Sequence, residues 1–315
     1  MRAQEQDGST AAAPAHGTHT APDGGPASGP GVRGRTSREA ATGAALNATA
    51  VLSPALAGRA AFALFRSPLG RARVLPGESA VHAQAVAEEL QVDGERVVTY
   101  RWGEGSRPVL LLHGWQSRAS RFAAHVPRLR SLGLTPVSFD APGHGDSGGR
   151  TTTILRNVEI AARLQERYGT FDAVLAHSFG VTCALLALRG DITARRLVAV
   201  AGVGEFGFLA DRFTELLGLR PQLWTALRRR IETDLFPHVP DPWARFDGAH
   251  WPAQIDTPML LINDENDRMV PLRQAHRLLA AHGPRAELVV TRGLGHRAVL
   301  GAPRVVDAAL DFVQG

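Results

Sequence analysis

The stretch VLAHSFGVTC, Val174 to Cys183, sets Ser178 between an apolar run and a run of small residues, with a glycine two positions after it. A serine in that place has two readings. It can cap the helix that follows by accepting a backbone N–H bond, or it can act as a nucleophile. The second reading needs a base, because a serine hydroxyl attacks poorly until an imidazole takes its proton. Histidine, with an unperturbed pKa near ~6.5, can accept that proton and later return it to a leaving group. A carboxylate on the far ring nitrogen would fix the tautomer and stabilise the imidazolium. The two readings separate on whether the chain brings a histidine and an acid to Ser178.

The elements that must do this are legible as short apolar runs separated by helix-length segments. From Val97 onward the runs are VVTYRW, PVLLLHGW, TPVSFDAPG, DAVLAHS, RRLVAVAG, TPMLLIND and AELVVTRG, and the helical segments include Thr153 to Tyr168, Phe179 to Leu188 and Leu272 to Ala281. Strand alternating with helix predicts an α/β fold with a mostly parallel, doubly wound sheet covered on both faces. In such a sheet the chemistry collects at the carboxyl ends of the strands. The residues there are HGW at His113 to Trp115, DAPGHGDSGG from Asp140, HSFG at His177 to Gly180, NDENDRMVP from Asn263, and GLGHR ending at Arg297. One interval breaks the rhythm. Gly204 to Pro252 has no strand-like run, reads as two or three helices, and holds eight of the nineteen aromatics.

Composition removes several classes. None of the 315 residues is lysine, so all 35 basic residues are arginine and no Schiff-base or lysine-base mechanism is open. Those arginines are spread among 30 acidic residues and make no one-sided basic face, so no nucleic-acid partner is expected. The single cysteine, Cys183, lies in the apolar stretch VTCALLAL and reads as a buried structural thiol. The first residues, MRAQEQDGST, lack the apolar core of a secretory signal, and the expected location is cytoplasmic. Residues 1–42, rich in Ala, Gly, Pro, Thr and Ser, are expected to be disordered. Residues 43–96 are expected to be a helical entry segment packing on the core. Within it Ala44 to Phe65 is interrupted by Asn47, Pro54 and Arg59, which favours an amphipathic helix and no stable membrane insertion.

Taken in order, HGW, DAPGHGDSGG, AHSFG, DENDRMVP and GLGH resemble the α/β-hydrolase family, over roughly Val97 to Gly315. That family sets its nucleophile on a sharp turn after one strand, its acid after a later strand and its histidine after the last. Ser178, Asp267 and His296 fall in that order. The resemblance implies a core of residues 97–203 and 253–315, a helical lid at 204–252, and no metal or organic cofactor. It favours Asp267 over Asp264, because the family's acid stands three residues before the V-P pair, here Val270 and Pro271. Asp264 is left to order the loop. The oxyanion donors it implies are the backbone N–H groups of Trp115 and Phe179.

One residue departs from the pattern: the first glycine of G-x-S-x-G is Ala176, which predicts a slightly displaced elbow. Glu205, after the run LVAVAGVG, is the competing acid. His113 and His144 are expected to bond loop backbone, Asp140 and Asp146 to order their loop, His177 to pack, and Arg228 to Arg230 to form a solvated face.

These parts imply a serine hydrolase that cleaves a small-molecule carboxylic ester through an acyl-enzyme, with Phe206, Phe208, Phe213 and Trp224 lining an apolar pocket. A serine at 178 excludes the carboxylate nucleophile used by epoxide hydrolases and haloalkane dehalogenases. The runner-up is a serine aminopeptidase, which would want a lid carboxylate from among Glu205, Asp211, Glu215, Glu232 and Asp234. Thioesterases and acyltransferases share the same parts, and a ligand receptor with incidental turnover is the reading from another class.

Overall fold

Runs such as PVLLL and LVAV have no polar residue to turn toward water, so each must be covered on both faces. In the computed structural model, which describes residues 36–315, these runs become the inner strands of an eight-stranded sheet. The strands are β1 (Val86–Val92), β2 (Glu95–Arg101), β3 (Pro108–Leu112), β4 (Thr135–Phe139), β5 (Ala173–His177), β6 (Leu197–Val200), β7 (Met259–Asp264) and β8 (Ala286–Thr291). Their spatial order is β1-β2-β4-β3-β5-β6-β7-β8, and only β2 runs against the rest.

Among the described residues twelve α-helices accompany them: α1 (Ser37–Leu52), α2 (Pro54–Phe65), α3 (Pro76–His82), α4 (Val126–Ser131), α5 (Ile154–Tyr168), α6 (Phe179–Ala187), α7 (Phe206–Leu217), α8 (Pro221–Arg230), α9 (Pro242–Arg245), α10 (Arg273–His282), α11 (Gly295–Gly301) and α12 (Pro303–Gln314). On one face of the sheet Leu110, Leu112, Val137 and Val174 pack with side chains of α5 and α6. On the other, Val109, Leu111, Ala173 and Leu175 pack with α4, α11 and α12. The chain leaves β3 for β4 on one side and returns to β5 on the other. In open sheets of this kind such a reversal is where ligands bind, beyond the carboxyl ends of the two strands, here β3 and β5.

Two boundaries differ from the sequence reading. Helix α1 begins at Ser37, inside the segment expected to be disordered. Its start is a capping box: Thr36 Oγ1 accepts from Glu39 N at 3.2 Å, and Glu39 Oε2 accepts from Thr36 N at 2.7 Å. The remainder of that segment, residues 1–35, lies outside the described residues. The entry segment also contains a strand. Asp93 and Gly94 both have positive φ, 49° and 75°, and turn β1 back onto β2 with Val92 opposite Glu95. The apolar alternation of β1 is weak because it is a mostly exposed edge, and the Asp-Gly turn was its better sign.

Between β6 and β7 the insertion folds as α7, α8, a π-helical turn at Ile231–Leu235, and α9. The α1–α2 hairpin packs on it, with Leu46, Ala57 and Ala61 against Leu217 and Leu223. Among the described residues no helix is long and apolar enough to cross a membrane.

Helix α6 lies so close to β3 that Gly180 has no room for a side chain, since a Cβ there would sit 2.3 Å from the Leu112 carbonyl oxygen and 2.9 Å from that of His113. These atoms are backbone and cannot rotate aside. Gly180→Ala is therefore expected to destabilise the fold by about 2–3 kcal/mol, read as a fall in Tm of roughly 5–10 °C. A Tm within 2 °C of the wild type would show that α6 can move away from β3 freely.

Candidate active site

Strand β5 ends at His177 and α6 begins at Phe179, so the chain must reverse within one residue. That residue is Ser178, at φ 56° and ψ −120°. Its N–H donates to the Val200 carbonyl at 3.0 Å, and its carbonyl accepts from Val181 N at 3.0 Å, so the turn is tied to β6 and to α6. The hydroxyl makes no capping bond to α6. It points instead at His296, whose Nε2 stands 3.0 Å from Ser178 Oγ. The capping reading of this serine therefore fails. Ala176 stays in register between Leu112 and Ala199 and is fully buried, so its methyl group is absorbed within the sheet.

His296 lies in the first turn of α11, just beyond β8. Its Nδ1 stands 2.7 Å from Asp267 Oδ2, and Asp267 Oδ1 accepts from the N–H groups of Met269 and Val270 at 2.8 and 2.9 Å. Glu205 makes no such bond to His296. Asp264 holds the two loops to each other. Its Oδ1 accepts from Asn266 N at 3.0 Å and Gly295 N at 2.9 Å, and its Oδ2 from Thr291 Oγ1 at 2.8 Å and Leu294 N at 3.1 Å. Burial would raise its pKa, but these four donors outweigh burial and hold the carboxyl below the usual range. A chain of serine, imidazole and carboxylate in this order can move a proton from the hydroxyl to the ring and back.

The loop after β3 lies against the serine. A Cβ on Gly114 would be 2.9 Å from Ser178 Cβ, so only glycine permits the approach. Two histidines fix the loop on either side of Trp115. His113 donates from Nδ1 to the Gly114 carbonyl at 2.8 Å and accepts at Nε2 from Ala141 N at 3.0 Å. His144 accepts at Nε2 from Gln116 N at 3.1 Å and donates from Nδ1 to the Pro142 carbonyl at 3.1 Å. Neither backbone N–H of Trp115 or Phe179 has an acceptor among the described residues, and the two rings meet edge to face at 5.9 Å.

His177 does more than pack. Its Nε2 donates to the carbonyl of His296 at 2.9 Å, and the two rings lie 4.9 Å apart. Burial, with the His296 ring beside it, pushes its pKa down to about 3. Burial and the neighbouring His113 do the same to His144, also to about 3, and burial lowers His113. His125, buried beside Phe122, is pushed down to about 4. All four rings are neutral at pH 7.

Of the four aromatics expected to line a pocket, Phe208 packs in a cluster with Val203 and Val270. Val203 N approaches the Ser178 carbonyl at 3.4 Å. Phe206 is locked into the insertion's own core, 5.9 Å from Phe236 and 5.0 Å from Phe246. Phe213 packs edge-on to Phe65 at 5.5 Å, on the side of α1 and α2. Trp224 is half exposed and bonds Asp211. The bulk of these rings goes to holding the insertion together. Arg228 is no solvated face either, for it stacks 3.7 Å over Trp243 and 5.1 Å from Trp224.

Asp140 and Asp146 do order the loop after β4, through Arg118 at 3.1 and 2.6 Å and through the Tyr100 hydroxyl at 2.9 Å each. Cys183 is buried, and burial raises its thiol pKa. Among the described residues no cluster of histidine, cysteine and acidic side chains could hold a metal ion.

A family model described as the alpha/beta hydrolase family matches residues 109–309. Solved structures share the architecture at low identity. An esterase from Pyrococcus furiosus is 18% identical, with 79% of this chain and 96% of that one covered and a TM-score of 0.58. A carboxylesterase structure from Nitrososphaera gargenis is 16% identical, covering 72% and 99% with a TM-score of 0.53. The thioesterase domain from the curacin biosynthetic pathway is 14% identical, covering 73% and 99% with a TM-score of 0.55. No curated protein matches the chain.

The neutral histidines carry a pH signature. Each binds a proton readily when unfolded and resists it when folded, so the unfolded state holds more protons and stability rises with pH. That contribution is complete above about pH 6.5 and is lost as pH falls toward about 3 for His144. Within that window each histidine adds up to about 1.4 kcal/mol per pH unit to the slope. His144→Gln should flatten the slope of unfolding free energy between pH 6 and 4.5 by about one proton, measured by urea titration. Parallel curves for wild type and variant would show that His144 is not held neutral.

Proposed function

Since the chain belongs to the alpha/beta hydrolase family, we propose that it is a serine hydrolase cleaving carboxylic esters with an apolar acyl or alcohol group. The observation that carries this reading is the unbroken line from Ser178 Oγ to His296 Nε2 at 3.0 Å and from His296 Nδ1 to Asp267 Oδ2 at 2.7 Å, on a serine free of any capping bond. As Ser178 Oγ bonds to the acyl carbon, its proton passes to His296 Nε2, and Asp267 stabilises the imidazolium. The carbonyl oxygen becomes an oxyanion that accepts from the N–H groups of Trp115 and Phe179. The tetrahedral intermediate collapses, His296 returns the proton to the departing alcohol, and an acyl-enzyme remains. Water repeats the sequence, giving its proton to His296 and releasing the acid. No metal or organic cofactor enters any step.

Residues 204–252 act in this reading as a lid, and Val203, Phe208 and Val270, with Leu209 and Met269, offer an apolar wall beside the serine. The amide-hydrolase reading is weaker, because four of the five lid carboxylates that could hold a free amino terminus are engaged. Asp211 bonds Trp224, Glu215 pairs with Arg212, Glu232 accepts from Trp243, and Asp234 pairs with Arg230. Glu205 alone of the five has no side-chain hydrogen bond or ion pair among the described residues.

Ser178→Ala removes one hydroxyl and little packing, so the protein should fold with hydrolysis of p-nitrophenyl esters and fluorophosphonate labelling both gone. Labelling at wild-type level in the folded variant would identify another nucleophile. The acid is tested separately. Asp267→Asn keeps the shape but favours the wrong imidazole tautomer, and kcat should fall on the order of 10³ to 10⁴. Glu205→Gln should cost less than about tenfold. The reverse pattern would move the acid to the end of β6.

A further inference from the structure

We propose that the tip of the α1–α2 hairpin, with the adjoining α7–α8 turn, docks this protein on anionic lipid surfaces. The inference concerns a second face of the molecule and stands whether or not Ser178 is the nucleophile.

Residues 40–77 contain four arginines, Arg59, Arg66, Arg71 and Arg73, and no aspartate or glutamate. Of these only Arg59 is within one turn of the tip, and the break between α1 and α2 is bare of polar groups except Ser53, whose hydroxyl is used to cap α2 at Leu56 N. Val51, Leu52 and Leu56 around it are 66%, 89% and 56% exposed, and Pro54 and Ala55 are exposed with them. The hairpin does not need these side chains for its own packing, because its buried face is already satisfied by Leu46, Ala57 and Ala61 on Leu217 and Leu223. Large apolar groups gathered at one turn and left in water mark an interaction site more often than single scattered ones do.

The neighbouring element extends the same character. Asn47, about one turn before the tip, donates to the Gly218 carbonyl at 2.8 Å and accepts from Arg220 N at 3.0 Å, which pins the α7–α8 turn beside α1. At that turn Leu219, Pro221 and Trp224, with Thr214 and the Arg212-paired Glu215 at its edge, line a hollow of about 390 Å³. Tryptophan half in and half out of an apolar layer is a common occupant of the lipid headgroup region.

Charge decides the partner. Arg59, three residues beyond Leu56 on α2, and Arg220 are exposed, and neither side chain has an ion pair or hydrogen bond among the described residues. The nearby acids are neutralised: Glu215 lies 3.4 Å from Arg212, and Asp211 bonds Trp224 and faces Arg228. The face therefore combines bare apolar groups with uncompensated positive charge, which matches the interface of a bilayer containing anionic phospholipid. A second copy of the chain is a poorer fit, because a two-fold contact would set Arg59 and Arg220 against their own counterparts. Among the described residues no helix is long and apolar enough to cross a bilayer, and a few aliphatic side chains with two arginines make a shallow, reversible contact.

The test is sedimentation of the full chain with vesicles of phosphatidylcholine alone and of phosphatidylcholine mixed with phosphatidylglycerol. The wild type should partition onto the anionic vesicles, weaken as salt is raised, and leave the neutral vesicles largely unbound. Leu52→Asp with Leu56→Asp should reduce partition at least tenfold, and Arg59→Gln with Arg220→Gln by about fivefold per arginine. Both should keep the wild-type Tm, since the changed side chains are exposed, and Ser178→Ala should bind as the wild type does. Equal binding to both vesicle types, or wild-type binding by the double aspartate variant, would overturn the proposal. So would a wild-type dimer in sedimentation that the double aspartate variant dissociates, because the face would then belong to a second copy.

Discussion

A residue other than glycine at φ 56° and ψ −120° sits in a region that costs on the order of 1–3 kcal/mol and persists only where the surroundings over-determine it. Ser178 is held there from three directions. Its own N–H and carbonyl are tied to Val200 and Val181. Gly180 lets α6 close down on β3 within 2.3 Å of where a Cβ would meet backbone. Gly114 lets the loop after β3 come against the serine itself. If any of these contacts relaxed, the hydroxyl could turn back to cap α6, which is the lower-energy use of a serine in that place. In the proposed reaction the strain is thus what separates a reagent from a cap.

Around this residue the polar groups form a frame with little freedom to titrate. His113 and His144 grip the carbonyl before Trp115 and the N–H after it, and each is held in one tautomer by a partner at both nitrogens. His177 reaches across from β5 to the backbone of His296. Asp264 joins the loops that present Asp267 and His296, so the acid and the base cannot drift apart independently. Neutral imidazoles suit this work better than charged ones, because a buried positive charge beside His296 would oppose the imidazolium that the proposed mechanism forms there.

The sheet was readable because its inner strands are continuously apolar, and the residues at their carboxyl ends are the ones the structure brings together. The family resemblance singled out Ser178, Asp267 and His296 by their order after successive strands, and the structure sets the three within hydrogen-bond reach in sequence. The supporting residues were harder to see. Asp264 and His177 act through backbone groups of residues more than twenty positions away, and no local spacing announces such a bond. The aromatic insertion misled for a related reason, since richness in rings does not say which face they take. Phe206 and Phe213 turn inward to Phe246 and Phe65, and Phe208 packs on Val203 and Val270. Strand β1 was missed because an exposed edge lacks the apolar pattern, although Asp93-Gly94 stated the turn.

A crystal structure of the protein inhibited with an alkyl phosphonate, whose tetrahedral phosphorus imitates the intermediate of ester cleavage, tests the proposed chemistry most directly. Phosphorus should be bonded to Ser178 Oγ, with one phosphonyl oxygen about 2.7–3.1 Å from the N–H groups of both Trp115 and Phe179. His296 Nε2 should lie within hydrogen-bond reach of the ester oxygen, and the alkyl chain should lie along Val203 and Phe208. An adduct on a different residue, or a phosphonyl oxygen directed away from both N–H groups, would contradict it.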